Sequence, residues 1–181
     1  YTQGTQTNRL ALGDYVGACG APHGLEVSST RALTIRRIEG GILGNGTDLT
    51  PDMTPFEAGL IPFVNMEKGD FVGRNALLNK DQRCCLFGVT CIDKTPVGGS
   101  LIFDGKTEVG RITAGVPSPT LGFGIGYVRF SEPGDWVGRT LLMRLTEGSE
   151  HEVEIVQPPF FDPDKNIVRG LDRSIPARPE I

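Results

Sequence analysis

The residues best suited to chemistry crowd into one stretch of the chain. Arg36-Arg37-Ile38-Glu39-Gly40-Gly41 is followed by Asn45-Gly46-Thr47-Asp48, and then by Thr54-Pro55-Phe56-Glu57-Ala58-Gly59-Leu60. This sets a cation, a carboxylate and a backbone able to approach a ligand closely within a short span. A second carboxylate, Glu57, sits on a Pro-to-Gly turn. Arginine makes a two-pronged contact with a carboxylate, and glutamate accepts from amino and ring N–H groups. The set therefore suits a ligand that carries both a carboxylate and a hydrogen-bonding heterocycle. Most Arg–Glu neighbours at a helix end are structural ion pairs, so on composition alone that plainer reading is favoured.

Other chemistries find little support. Gly122-Phe123-Gly124-Ile125-Gly126 has GxGxG spacing with a strand-like Tyr-Val-Arg-Phe after it. A dinucleotide loop needs GxGxxG between a strand and a helix, so small residues packing in a barrel strand are the better account. There is no GxxxxGK[ST], HExxH or GxSxG sequence, which removes the common NTPase, zincin and serine-hydrolase readings. Cys19, Cys84, Cys85 and Cys91 form no CxxC pair, and His23 and His151 are far apart. No metal site is expected, and the thiols read as buried or half-buried groups in a reducing cytoplasm. Asn45-Gly46-Thr47 fits a glycosylation sequon but is expected to be a turn.

The elements that must position these residues change character near Asp81. Leu10, Leu12, Tyr15, Val16 and Cys19 recur at helical spacing before Gly20 and Pro22. Ser28 and Ser29 offer an N-cap for a second helix through Leu33, Ile35 and Ile38, closed by Gly40-Gly41. Residues 73–80 form a third, short one. Beyond them the pattern is of short strands: Cys85–Ile92, Leu101–Phe103, Glu108–Thr113, Phe123–Val128, Thr140–Leu145 and His151–Val156. Phe103-Asp104-Gly105-Lys106 reads as a type I′ hairpin, and six strands of this kind suggest a small β-barrel or sandwich. The stretch from Gln157 to Ile181 reads as an irregular tail.

The 181 residues suffice for a real core, and 22% charged residues fit a globular chain. A net charge of −4 argues against nucleic acid or an anionic membrane surface as partner. No run approaches the ~18 apolar residues of a membrane span. Tyr1-Thr2-Gln3-Gly4 shows no signal-peptide pattern and no Met, so the chain is expected to begin inside a longer protein.

In this order the motifs carry a family resemblance. "RRIEGG", "NGTD", "TPFEAGL" and "GDFVGRNAL" resemble the R-[LI]-E-A-G, Asn-Asp turn, T-P-x-E-A-G-L and D-F-[IV]-G-[RK]-x-A-L of the glycine cleavage T-protein family. "VGRITAGVPSPTLGFGIGYV" is similar to that family's G-x-[IV]-T-S-G-x-x-S-P-[ST]-L and following G-Y-V, and "GAPHGL" resembles a segment of the folate domains of sarcosine and dimethylglycine dehydrogenases. The matches run from about Gly20 to Val156, and together they are specific although each alone is weak.

The resemblance implies an α+β fold. Residues 1–80 would be the tail of the central folate-binding α/β domain, 81–160 a small C-terminal antiparallel β-barrel, and 161–181 an irregular tail. It implies tetrahydrofolate as cofactor and a small-molecule methyl or aminomethyl donor. A missing N-terminal half would hold most of the catalytic groups, so these 181 residues alone would be inactive. Arg37 corresponds to the family's folate-site arginine, Glu39 is expected to orient it, and Glu57 matches a motif acid whose role could be purely structural. One departure matters: where the family has Leu-Tyr-Gly-Asn-Asp, this chain has Leu43-Gly44-Asn45-Gly46-Thr47-Asp48. The donor therefore need not be glycine-derived, and "RIEGG" also resembles relatives that demethylate dimethylsulfoniopropionate or methoxy-aromatics. The alternative is a non-enzymatic folate-binding or protein-interaction module of the same fold. Relatives linked to iron–sulfur assembly usually carry a Lys-Gly-Cys motif, which is absent.

Overall fold

We describe the protein from a computed structural model, in which residues 5–174 are described. The opening Tyr1-Thr2-Gln3-Gly4 and the last part of the expected tail, 175–181, lie outside them. The chain divides into two compact units after Leu33. In the first, helix α1 (Gln6–Gly20) starts at Thr5, whose hydroxyl accepts from Asn8 N–H. Its apolar positions Leu10, Tyr15 and Val16 are exposed, and no residue of the helix is buried. Helix α2 (Thr30–Glu39) follows, with Ser29 Oγ accepting from Ala32 N–H, and the division falls inside it. Gly41, with φ of 74°, ends that helix in the left-handed conformation that glycine adopts readily.

In the second unit, an irregular segment carries the short helix α3 (Arg74–Leu77) and leads into six strands: β1 (Leu86–Cys91), β2 (Leu101–Asp104), β3 (Thr107–Ser118), β4 (Phe123–Phe130), β5 (Thr140–Arg144) and β6 (Glu150–Val156). They pair antiparallel in the order β1-β4-β3-β2-β5-β6, and β6 returns to β1 to close a barrel. Closure leaves no free sheet edge. Alternating residues fill the interior: Phe87, Val89, Ile102, Ile112, Val128 and Met143 belong to one buried cluster. Burying a side chain of this size stabilises the fold by about 1.5–3 kcal/mol.

All six expected strands are present, with two differences. The β2–β3 turn is Gly105-Lys106, flanked by the Asp104↔Thr107 pair. Only Gly105 has a positive φ, 61°, among these two, so the turn is not the type I′ form, which needs positive φ at both central residues. Strand β3 also runs on to Ser118 rather than ending near Thr113. Gly115, which composition marks as a breaker, is admitted because the β1–β2 loop lies against it: a Cβ there would meet the Pro96 carbonyl, and one at Gly124 the Lys94 carbonyl.

A register shift separates Ile112, opposite Val128, from Ala114, opposite Tyr127, leaving Thr113 as the extra residue of a bulge. Because side chains alternate with period two, one extra residue reverses the faces. Ile112 packs in the barrel interior, whereas Val116 joins Ile38, Leu86, Ile125 and Tyr127 in a second buried cluster outside it. Ile35, Leu43 and Met53 pack on that outer cluster, so the segment carrying the candidate residues lies against the barrel wall.

Candidate functional site

Adjacent helix residues point about 100° apart, so neighbouring arginines cannot share a partner on one face. Arg36 Nη1 donates to Glu39 Oε2 at 3.0 Å, an i,i+3 pair, and also to Thr120 Oγ1 at 3.2 Å. Arg37 Nη1 instead donates to Asp48 Oδ2 at 2.9 Å and to the Ile42 carbonyl at 3.1 Å. Glu39 was expected to orient Arg37. Asp48 does so instead, because Arg37 and Glu39 are two residues apart and face different sides of α2.

Asp48 is fully enclosed: its side chain is 0% exposed, that of Arg37 24%. Such a carboxylate must be paired and hydrogen-bonded to be tolerated. Oδ2 accepts from Arg37 and from Gly44 N–H at 2.7 Å, and Oδ1 from the Thr113 hydroxyl at 2.5 Å. Gly44 packs so close that a Cβ on it would lie 3.2 Å from Arg37 Cζ. Among the described residues, Nε and Nη2 of Arg37 have no hydrogen-bond partner. One edge of the guanidinium is thus clamped while two donors remain free.

Glu39 is buried with both oxygens occupied, one by Arg36 and the other by Ser118 Oγ at 2.6 Å. Its carbonyl accepts from Phe160 and Phe161 N–H at 3.1 and 2.9 Å. Tyr127 OH donates to the Ile38 carbonyl at 3.3 Å, and burial pushes this phenol well above its ordinary range, with Asp48 adding to the effect.

Glu57 lies elsewhere on the segment. Its Oε2 accepts from Thr54 N–H at 2.7 Å while its own N–H donates to Thr54 Oγ1 at 3.2 Å, the reciprocal arrangement of a capping box. The Thr54 N–H bond holds the Glu57 carboxyl below its ordinary range. The Glu57 carbonyl accepts from Cys85 and Leu86 N–H, tying the turn to the start of β1. Glu57 and Asp48 both line a cavity of about 450 Å³ with Arg111, Thr113 and Arg129. Arg129 is itself engaged, donating to Thr50 Oγ1 at 3.0 Å and Asp52 Oδ2 at 2.8 Å. The cysteines are free thiols; burial pushes Cys85 up to about 11, which leaves it a poor nucleophile. Among the described residues no His, Cys, Asp and Glu group is arranged to hold a metal ion, and no helix is long and apolar enough to cross a membrane.

This architecture has known counterparts. Residues 83–162 match the family model described as the glycine cleavage T-protein C-terminal barrel domain. The barrel belongs to the glycine cleavage T-protein family. A probable aminomethyltransferase of Halobacterium salinarum is 37% identical over 70% of this chain and 36% of its own length. A trimethylamine-oxide aldolase of Ruegeria pomeroyi is 29% identical over 88% of this chain but 21% of its own. The crystal structure of glycine cleavage system aminomethyltransferase T from Bartonella henselae superposes with a TM-score of 0.62 and 27% identity, over 71% of this chain and 37% of that one. The present chain thus spans well under half the length of the relatives it matches. Two residues of this T-protein barrel, Thr113 and Ser118, hold the motif segment through Asp48 and Glu39; the sequence marked neither hydroxyl, nor Asp48 as the partner of Arg37. Asp48 stood inside the quoted Asn-Gly-Thr-Asp turn, but nothing in its type marked it as buried, and the two hydroxyls acquire their roles only through the bulge in β3.

Proposed function

We propose that this chain is the C-terminal part of a tetrahydrofolate-dependent one-carbon transferase, and that Arg37 holds the folate. The observation that carries the reading is the half-clamped guanidinium: Asp48 fixes one edge and neutralises it, leaving Nε and Nη2 free for a carboxylate or a heterocycle carbonyl. Tetrahydrofolate offers both groups and supplies the ring nitrogen that accepts or donates the one-carbon unit. Residues up to about 80 would complete the folate domain and the barrel would close it. Glu39 and Glu57 serve it indirectly, the first by fixing the α2 end to β3 and the second by shaping the turn before β1. Positioning and charge stabilisation would supply most of the rate, with catalytic groups from the preceding part of a longer chain. The four free thiols support a reducing compartment such as the cytoplasm.

For the donor, the relatives point two ways: one spanning 88% of this chain is named for trimethylamine oxide, and others spanning 78–80% for aminomethyl transfer, so the donor is an N-methyl or aminomethyl compound. Calorimetric titration of tetrahydrofolate into the longest natural chain carrying these residues tests the proposal. Arg37→Ala should weaken binding at least about tenfold, or ~1.4 kcal/mol. Absence of binding by the unmodified protein would favour the interaction-module alternative.

A further inference from the structure

We propose that Thr113, a barrel residue, positions the Arg37 guanidinium through Asp48, so that the barrel sets the geometry of the arginine site instead of merely covering it; as a statement about folate this rests on the function proposed above. Three independent observations converge. Thr113 is the extra residue of the β3 bulge, lying between Ile112 opposite Val128 and Ala114 opposite Tyr127, and bulges re-aim side chains that regular pleating would send elsewhere. Its hydroxyl donates to Asp48 Oδ1, across 65 positions of sequence. That carboxylate is fully enclosed, and its other oxygen takes the Arg37 contact. An enclosed carboxylate bonded at both oxygens has one rotamer available, so removing the hydroxyl frees Asp48 to turn and releases the clamped edge of Arg37.

The hydroxyl, not the bulk, is the active element. Thr113→Val keeps the β-branched shape but leaves Oδ1 of Asp48 without its donor, whereas Thr113→Ser restores the donor. In the longest natural chain, Thr113→Val should weaken tetrahydrofolate binding about three- to tenfold, the range for loss of one such hydrogen bond. Thr113→Ser should stay near the unmodified value. The loss should vanish when Thr113→Val is made in an Arg37→Ala background, because a residue acting through Arg37 has nothing left to position. A merely structural role would weaken binding by the same factor in both backgrounds and would not be rescued by serine.

A second readout needs no folate: the rate of phenylglyoxal modification at Arg37, followed by peptide mass spectrometry. Thr113→Val should raise it and Thr113→Ser should not. Unchanged Arg37 reactivity in Thr113→Val, or equal binding losses in both backgrounds, overturns the proposal. Faster modification in a protein that never binds folate would uphold the positioning of Arg37 and overturn the folate reading alone.

Discussion

The barrel and the segment that precedes it both bury apolar side chains, but they differ in what specifies the path of the chain. The barrel is a closed ladder around an apolar interior in which Val89, Ile102, Met143 and Ile155 are wholly enclosed. Residues 34–63 have little regular structure beyond the end of α2, and polar contacts specify their path: Thr113 to Asp48, Ser118 to Glu39, Tyr127 to the Ile38 carbonyl, Arg129 to Thr50 and Asp52. Apolar packing is tolerant of sequence and sets stability; polar contacts demand particular atoms and set geometry. The residues proposed to meet ligand lie in the second region, where a lost atom shifts a site without unfolding the scaffold.

The contrast can be broken from either side. Ile102→Ala, at a position with 0% exposure, should cost about 2–5 kcal/mol by chemical denaturation, and the segment should lose order with the barrel because it leans on the wall. Asp48→Ala should follow, at about 1–3 kcal/mol, since it leaves the Gly44 N–H and a half-enclosed arginine unpaired; Asp48→Asn should be milder. Ser118→Ala, which removes the donor to buried Glu39, should cost about 1 kcal/mol and leave the barrel strands protected in hydrogen exchange. If Ser118→Ala instead unfolded the barrel, the separation into scaffold and positioned segment would be wrong.

The smallest effect is electrostatic. The Arg129 guanidinium holds Asp52 at about 2, against an ordinary 3.8, and Glu57 is lowered as well. A depressed carboxylate contributes stability that is present above its unfolded value and lost as pH falls through the folded one. The unfolding midpoint should therefore slip as pH drops from about 4 towards 2. Asp52 is an exposed side chain, so the slope should flatten in high salt and in Arg129→Ala. A slope indifferent to both would place the acid-labile contact elsewhere.

The same contrast decides what the sequence could reveal. Period-two alternation and turn residues placed every strand, since both signals are local. The course of β3 past Thr113 was hidden, because Gly115 and Pro117 look like an ending and the loop packed on Gly115 cannot be read from its neighbours. The motif segment was recognisable by resemblance, yet its wiring was not. Glu39 stands two residues from Arg37 in the sequence but pairs with Arg36 in space, while Asp48 finds its partner on a strand 65 residues away. Side-chain pairing across such distances depends on register, which composition does not encode.

The bulge in β3 also bears on how this chain can change over generations. Substitutions along 114–118 act locally, even where, as at Gly115, a side chain would press on the Pro96 carbonyl. Gain or loss of a single residue there would exchange inward and outward faces for the rest of the strand, sending Val116 and Ser118 into the barrel and stranding Glu39 without its hydroxyl. The length of this strand should therefore be conserved more strictly than its letters, and natural insertions and deletions should accumulate in the turns on either side.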